Sequence, residues 1–476
     1  MNASLEGKRH IHMIGIGGSG MYPLAQVLHA KGYTLSGSDN NETDTLAAVR
    51  AMGIPVQLSQ RAENLGDADL VVYSAAIAKT NPERAAAEAS GVDMMERSEL
   101  LGLVSQWYSD AVCISGTHGK TTTSSMLAQI AFTAGIDLSA VIGGKLPAIG
   151  GSGRAGSSDV FVCEACEYVD TFLRLSPDIA VILNIDEDHM EYFKTLENLK
   201  ASFAKFAQKS SRTVIYNGDD ANTCDALKAV TGKEMIRFGT QNPACEWRAE
   251  NITHTAEQTT TFTVLHGGES LGTVTLRVPG EHNVLNALAA IAAAHCIGLD
   301  FAQCREGLLA FRGAKRRFDI HAEVGGITVA DDYAHHPAEI AATLRAAKAM
   351  PYRSVIAVHQ PFTYTRTKRL LDDFAAALSI ADTVALTDIM GGREENTEGV
   401  FTSQLAAKIP GCIWFPQDET VPQTDERKYK NFDDVCAAVC RTAQPGDLII
   451  TLGCGDVNKL SRQIADTLRA GAGTQP

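Results

Sequence analysis

Short apolar strands alternate with helical stretches along nearly the whole 476-residue chain, and this alternation most narrows what it can fold into. A helix between successive strands leaves no room for tight hairpins, so the strands must pair in parallel through crossovers. "HIHMIGI", "TLSGSD" and "DADLVVYSAAI" set the pattern at the start; "DAVCISG", "DVFVCEA", "DIAVILNI" and "RTVIYNGD" continue it. "GITVADDY", "SVIAVHQ", "DTVALTDI" and "GDLIITLG" repeat it near the end. A stretch from about 247 to 278 departs from it, alternating polar with β-branched or apolar residues, and reads as antiparallel strands added to a parallel sheet. The prediction is an α/β protein of three domains. They are a Rossmann-like N-terminal domain over 1–107, a central domain over 108–318, and a Rossmann-like C-terminal domain over 319–476.

Two glycine loops carry the first chemical information. In "HMIGIGGSGMYPLAQVL" a strand meets Gly15, Gly17, Gly18, Ser19 and Gly20, a helix follows, and Asp39 lies 19 residues past the last glycine. That spacing matches a dinucleotide fingerprint, in which glycines bring a diphosphate onto a helix N-terminus and the acid meets a ribose. Taken alone it reports a diphosphate, not a nicotinamide. The second loop, "GTHGKTTT", again lies between strand and helix. Gly116, Thr117, His118 and Gly119 offer backbone N–H groups to a phosphate, and Lys120 reaches the terminal phosphates. Thr121, followed by Thr122, is placed to ligate Mg²⁺. The usual P-loop has a glycine six residues before the lysine; Ile114 stands there, so this loop is a shortened variant that binds a nucleoside triphosphate. As a surface-loop residue, Lys120 is expected to contribute little to packing.

Past the second loop, Glu164 ends one strand and His189 follows the next, at the carboxyl ends where parallel sheets bind ligands. Mg²⁺ favours oxygen, so a lone histidine there reads first as a capping or surface residue. Cys163 and Cys166 form a C-x-x-C pair, but no second pair completes a zinc site, and two small side chains at a strand end suffice. The net charge of −14 argues against nonspecific nucleic-acid binding. Eleven cysteines without regular spacing, no secretory leader and no apolar run of membrane-spanning length lead to the expectation of a cytoplasmic protein with no membrane insertion.

The stretches "GTHGKTTT", "EACEY", "NIDEDHMEYF", "GEHNVLNALAA", "RRFD", "DDYAHHPAEI" and "QPFTYTRT" occur in the order seen in the Mur ligases, and the chain resembles that family over essentially its whole length. The resemblance implies ATP-dependent joining of L-alanine to UDP-N-acetylmuramate through an acyl phosphate, with ATP and Mg²⁺ as cofactors, in a monomer or homodimer. It assigns Gly15 to Gly20 and Asp39 to the UDP-sugar, and Lys120 and Thr121 to ATP and one Mg²⁺. Glu164 and His189 match metal-site residues, and Asn283 and Asn286 the adenine-contacting segment. Arg316 or Arg317 matches a charge over the terminal phosphate. Tyr333, His335 and Arg366 match residues around the alanine carboxylate, so that Lys120, Glu164, His189 and Arg366 form the expected catalytic set.

Three positions depart from the family pattern. Phe362 replaces the histidine of Gln-Pro-His, Val169-Asp170 stands where arginine is common, and Phe203 occupies the place of a carbamoylated lysine, with Lys200 three residues away. No carbamoylation is therefore expected. An NAD-dependent oxidoreductase would explain only the first hundred residues, and a non-catalytic nucleotide sensor would leave Glu164, His189 and Arg366 without work. A ligase for whole murein tripeptide is the nearest enzymatic alternative.

Overall fold

A computed structural model of the chain describes residues 4–255, 259–392, 394–397, 399–416 and 425–472. Three sheets organise it, and the chain packs as two compact units. The first unit runs to Thr253 and adds Thr261–Leu276 and Asn283–Arg312; the second takes His254–Thr260, Arg277–His282 and the residues from Gly313 onward.

The first sheet is parallel throughout, in the order Val56–Leu58, Thr34–Asp39, His10–Ile14, Leu70–Tyr73, Asp93–Glu96. This is the mononucleotide-binding half of a doubly wound fold, with its first strand central and its carboxyl end open to the Gly15–Gly20 loop. Covered on both faces, His10–Ile14 buries Ile11 and Met13 with Leu24 and Leu28, and Ile14 with Val71 and Ala87.

The second sheet has ten strands, and its parallel centre sets Ile179–Ile182, Asp110–Ser115, Val160–Glu164 and Ser139–Leu146 side by side. Trp247–His254, Thr260–His266 and Glu269–Leu276 extend the far edge in chain order, as the alternating pattern predicts. Thr255 N–H donates to Thr259 O and Thr253 Oγ1 to Thr261 O, the constant sum of an antiparallel hairpin. The join to the older sheet differs from the expectation. Phe238 and Gly239 pair in parallel with Trp247 and Arg248. The intervening loop can double back so tightly because the Asp219 carboxylate accepts the N–H groups of Thr240 and Asn242.

The two sheets of the first unit share one hydrophobic core, running from Ile11, Leu100 and Val104 to Phe161, Phe172 and Phe206. Tyr108 stacks on Phe161 with ring centres 4.9 Å apart, and its hydroxyl donates to Ser139 across 2.9 Å. The first sequence regime, 1–107, and most of the second are thus separate sheets but one packed body, while His254–Thr260, Arg277–His282 and the residues from Gly313 onward fall in the second unit.

In the second unit the sheet order is Asp319–Val324, Ile327–Asp332, Leu448–Leu452, Val355–His359, Thr383–Leu386, with the first strand antiparallel and the rest parallel. Among the described residues no helix is long and apolar enough to cross a membrane.

Candidate active site

In the first unit the site grows from the carboxyl ends of three neighbouring parallel strands. Asp110–Ser115 leads into Gly116–Gly119, Val160–Glu164 into Glu167, and Ile179–Ile182 into Asn184–His189. Helix Lys120–Thr133 begins with no side-chain cap and no acid in its first turn, so its N-terminal N–H groups are left for an anion. The loop before it is held by the chain after Ile182. Asn184 Oδ1 accepts from His118 N–H at 2.8 Å, Thr117 Oγ1 accepts from Asp186 N–H at 2.9 Å, and the His118 ring lies 3.3 Å from Asp186. Gly119 has φ +87°, and a Cβ there would fall 2.5 Å from Asn286 Oδ1. Asn286 accepts in turn from Thr123 and donates to Asn283 at 3.0 Å, so both predicted asparagines are buried against this loop.

Lys120 is not the lightly held surface residue expected from sequence. Its ammonium donates to the carbonyls of Gly116 and Thr117 and to both oxygens of Glu167, at 3.2 and 3.0 Å. Glu167 is 1% exposed. Burial would lower the lysine pKa, but the charge of Glu167, aided by Cys166 and Glu164, outweighs it and raises the value above the ordinary range. Glu167 escaped sequence reasoning, although "EACEY" places it one turn of chain beyond Glu164; only the fold brings it to Lys120.

Glu164 and Thr121 do meet. Glu164 accepts from Thr121 Oγ1 at 3.1 Å, from Ser124 Oγ at 3.3 Å and from Gly143 N–H. A carboxylate beside a threonine hydroxyl at a phosphate loop is an oxygen-donor set suited to Mg²⁺. His189 is engaged elsewhere: its ring faces Glu191 at 3.4 Å and Asp188 at 3.7 Å and packs on Tyr168, 4.6 Å between centres. The three predicted metal residues are therefore not gathered into one cluster. His189 and Val169 sit at φ +56° and +53°, the latter a real outlier for a β-branched residue. Asp170, beside Val169, accepts from Tyr192 and Ser202, which gives the departure at this point a structural use. Phe203 packs edge-on to Phe172 in the core and Lys200 pairs with Asp225 at 3.3 Å. Cys163 is buried with its sulfur 3.4 Å from Cys113 on the next strand, a packing position.

At the first glycine loop Asp39 accepts from Gly17 N–H at 3.0 Å and from Asn40 and Asn41 N–H groups. The left-handed glycine is Gly15 (φ +75°), not Gly17 or Gly18. Gly17 is required by proximity: a Cβ would lie 3.0 Å from Asp39 Oδ2 and 3.2 Å from Leu46.

The second unit repeats the geometry at the ends of Ile327–Asp332, Leu448–Leu452 and Val355–His359. Arg316 donates to Asp331 at 2.9 Å and to the carbonyl oxygens of Gly453 and Gly455, and the Arg316 and Arg317 guanidiniums lie 4.8 and 5.2 Å from the centre of the Tyr333 ring. His335 packs edge-on to Tyr333 and lies 3.3 Å from Glu339. Burial lifts the Cys454 thiol to about 12, with Arg366 pulling it down, Glu339 pushing it up and Arg316 pulling it down. Arg316, Tyr333 and Arg366 are thus all felt at one point in the loop after Leu452. Cys454, Glu339 and Asp332 were not singled out from sequence. Asp332 is buried and its carboxyl is raised to about 6 by that burial, against Arg317 and the N–H groups of Ala334 and Phe318. Phe362 packs toward Gly392 and brings no polar group to the cluster.

Family models match in the same order as these sheets. The Mur ligase family catalytic domain covers residues 10–108, the Mur ligase middle domain 114–294, and the Mur ligase glutamate ligase domain 316–455. The UDP-N-acetylmuramate–L-alanine ligase of Caldanaerobacter subterraneus is 40% identical over 98% of this chain and 99% of its own length. The chain belongs to the Mur ligase family. The same enzyme name is carried by an Acetivibrio thermocellus protein, 42% identical to this Mur ligase over 95% of the chain and 94% of that protein. Among solved structures, the UDP-N-acetylmuramate–alanine ligase of Thermotoga maritima superposes on this Mur ligase with a TM-score of 0.79, at 26% identity, over 97% of this chain and 99% of that one. A murein peptide ligase from Psychrobacter arcticus reaches 0.74 at the same identity, over 97% and 99%.

Proposed function

We propose that this Mur ligase joins L-alanine to the lactyl carboxylate of UDP-N-acetylmuramate, using ATP, in the making of a peptidoglycan precursor. The observation that carries the reading is the Lys120–Glu167 and Thr121–Glu164 arrangement around an uncapped helix N-terminus, in a chain about 40% identical along its full length to proteins named for that reaction. A carboxylate is a poor electrophile; phosphorylation gives it a good leaving group, and the amine of alanine then displaces phosphate. The protein's part is to position anions and neutralise their charge.

Lys120 exchanges Glu167 for the ATP phosphates, and the N–H groups of Gly119 and the following turn receive a phosphate oxygen. Thr121 and Glu164 would hold Mg²⁺, which would screen the phosphate charge. His189, whose ring now faces Glu191, would add a nitrogen donor to that site. The Gly15–Gly20 loop and Asp39 take the UDP moiety. In the second unit, Arg366 with Tyr333 and His335 receives the alanine carboxylate, and Arg316 and Arg317 supply positive charge. The reaction belongs to the cytoplasm, where its substrates are made.

The test is phosphate release from ATP in the presence of UDP-N-acetylmuramate and, in turn, L-alanine, glycine, L-serine and murein tripeptide. Release dependent on L-alanine is expected. Release with the tripeptide alone would assign the protein to the tripeptide-joining branch instead.

A further inference from the structure

Arg366 stands third in helix Tyr364–Arg369, a helix of only six residues. So short a helix has almost no stability of its own, and whatever docks on it decides where its side chains point. Its N-cap residue, Thr363, makes no side-chain capping bond. The cap comes instead from another strand end. Glu394 accepts from Thr365 N–H at 2.9 Å and from Thr365 Oγ1 at 2.5 Å, so the first turn is satisfied by a carboxylate 29 residues away in the chain.

Glu394 belongs to the segment that follows strand Thr383–Leu386, and that segment is laid along the one that follows Val355–His359. Thr387 N–H donates to His359 O at 3.1 Å, and Met390 N–H to Pro361 O at 2.9 Å. Gly391 and Gly392, both left-handed at φ +81° and +60°, lie against two rings: a Cβ on the first would stand 2.9 Å from Tyr364, and one on the second 3.2 Å from Phe362. Glu394 N–H closes the turn on Gly391 O at 2.9 Å. The same strap reaches the cluster of the second unit, since a Cβ on Gly455 would meet Met390 Sδ at 2.5 Å. Gly455 is next to Cys454, where the charge of Arg366 is felt. Phe362 brings no polar group, yet with Tyr364 it seats the strap that carries Glu394.

We infer that Glu394 is a positioning residue, which fixes the first turn of helix Tyr364–Arg369 and so aims Arg366 at the carboxylate of the incoming amino acid. The inference rests on the function proposed above and adds to it a group that acts through Arg366. A guanidinium grips a carboxylate with two parallel bonds, and such a grip is directional. Glu394 bonds the residue next to Arg366 in the chain, so loosening it moves the base of the fork directly. A misplacement of about 1 Å at a working group can cost roughly 100-fold. Partial release of one turn, with the backbone bonds of Thr387 and Met390 still in place, corresponds to roughly 10-fold.

The experiment is steady-state phosphate release by the full chain, varying L-alanine, ATP and UDP-N-acetylmuramate in turn. It compares wild type with Glu394→Ala, Thr365→Val, Arg366→Ala and the double variant of Glu394→Ala with Arg366→Ala. Glu394→Ala should raise the KM for L-alanine roughly 10-fold and leave the other two at wild-type values. Thr365→Val removes one of the two bonds and should give a smaller rise of the same kind. Without the guanidinium the clamp has nothing to aim, so the double variant should match Arg366→Ala in kcat/KM for L-alanine. An unchanged KM for L-alanine in Glu394→Ala, even with a lower melting temperature, would overturn the assignment and leave the proposed function standing. So would equal rises in all three KM values, or penalties that add in the double variant. A wild-type protein whose phosphate release ignores L-alanine would overturn the function and the assignment together.

Discussion

Glu167→Gln isolates the resting-state hold on Lys120. The substitution keeps the shape of the side chain and removes the charge that faces the ammonium at 3.0 and 3.2 Å. Breaking a buried pair costs about 3–5 kcal/mol, and the low end applies because Lys120 is 16% exposed and keeps the carbonyls of Gly116 and Thr117. The nucleotide-free protein should therefore lose about 3 kcal/mol of stability, read as a fall in the urea midpoint. The nucleotide complex should lose far less, because phosphate then neutralises the lysine. By linkage, a non-hydrolysable ATP analogue should bind more tightly to the variant, by as much as roughly 100-fold for 3 kcal/mol. The pairing raises the Lys120 pKa, so its contribution is complete below the unfolded value of about 10.4 and is lost only as pH climbs through the folded one. The gap between variant and wild type should accordingly stay flat from about pH 6 to 9. An unchanged midpoint, or weaker binding of the analogue, would refute the reasoning, because it would mean that Glu167 and phosphate do not compete for Lys120.

Three further outcomes follow from the geometry. Gly17→Val should raise the KM for the UDP-sugar with little change in that for ATP, since its Cβ meets Asp39 and Leu46; steady-state kinetics in each substrate checks this. Arg366→Lys should raise the KM for L-alanine much more than that for ATP, because an ammonium cannot grip a carboxylate with two parallel bonds, and equal rises would assign the arginine to the nucleotide. Asp332, raised to about 6, favours the folded state when protonated: that contribution is whole below its unfolded value near 4 and is lost as pH rises through about 6. The stability of Asp332→Asn relative to wild type should therefore grow between about pH 4 and 6 and level off above, in paired urea titrations; a difference independent of pH would refute the burial argument.

The strand–loop–helix rhythm and both glycine loops were legible in the sequence because each is a local pattern, complete within some twenty residues. The Thr121–Glu164 contact was legible only at one remove, since strand ends collect ligands in any parallel sheet. Glu167 was not, because its meaning lies in a contact with a residue 47 positions away that no spacing rule describes. Cys454 and Asp332 were hidden for the same reason: each matters through what neighbouring strand ends bring beside it. For Gly17 the sequence pointed to the right residue, and the structure adds a neighbour it could not name, since a Cβ there would crowd Asp39 and Leu46. The parallel join of Trp247 to Phe238 depends on a loop pinned by Asp219, which polar alternation cannot reveal.

The shared core of the first two sheets has a bearing on how the chain comes apart. Leu100, Leu101 and Val104 close the first regime in sequence and Tyr108 opens the second, yet all four are buried in the same cluster as Phe161 and Phe172. A cut near residue 107 would therefore strip the cover from an apolar face on each side and leave two sticky halves rather than two modules. Amide exchange should find both sheets opening in a single cooperative event. Fragments made to study the first glycine loop alone would need to run on through the second sheet, so the smallest self-sufficient piece of this ligase already carries both of its glycine loops.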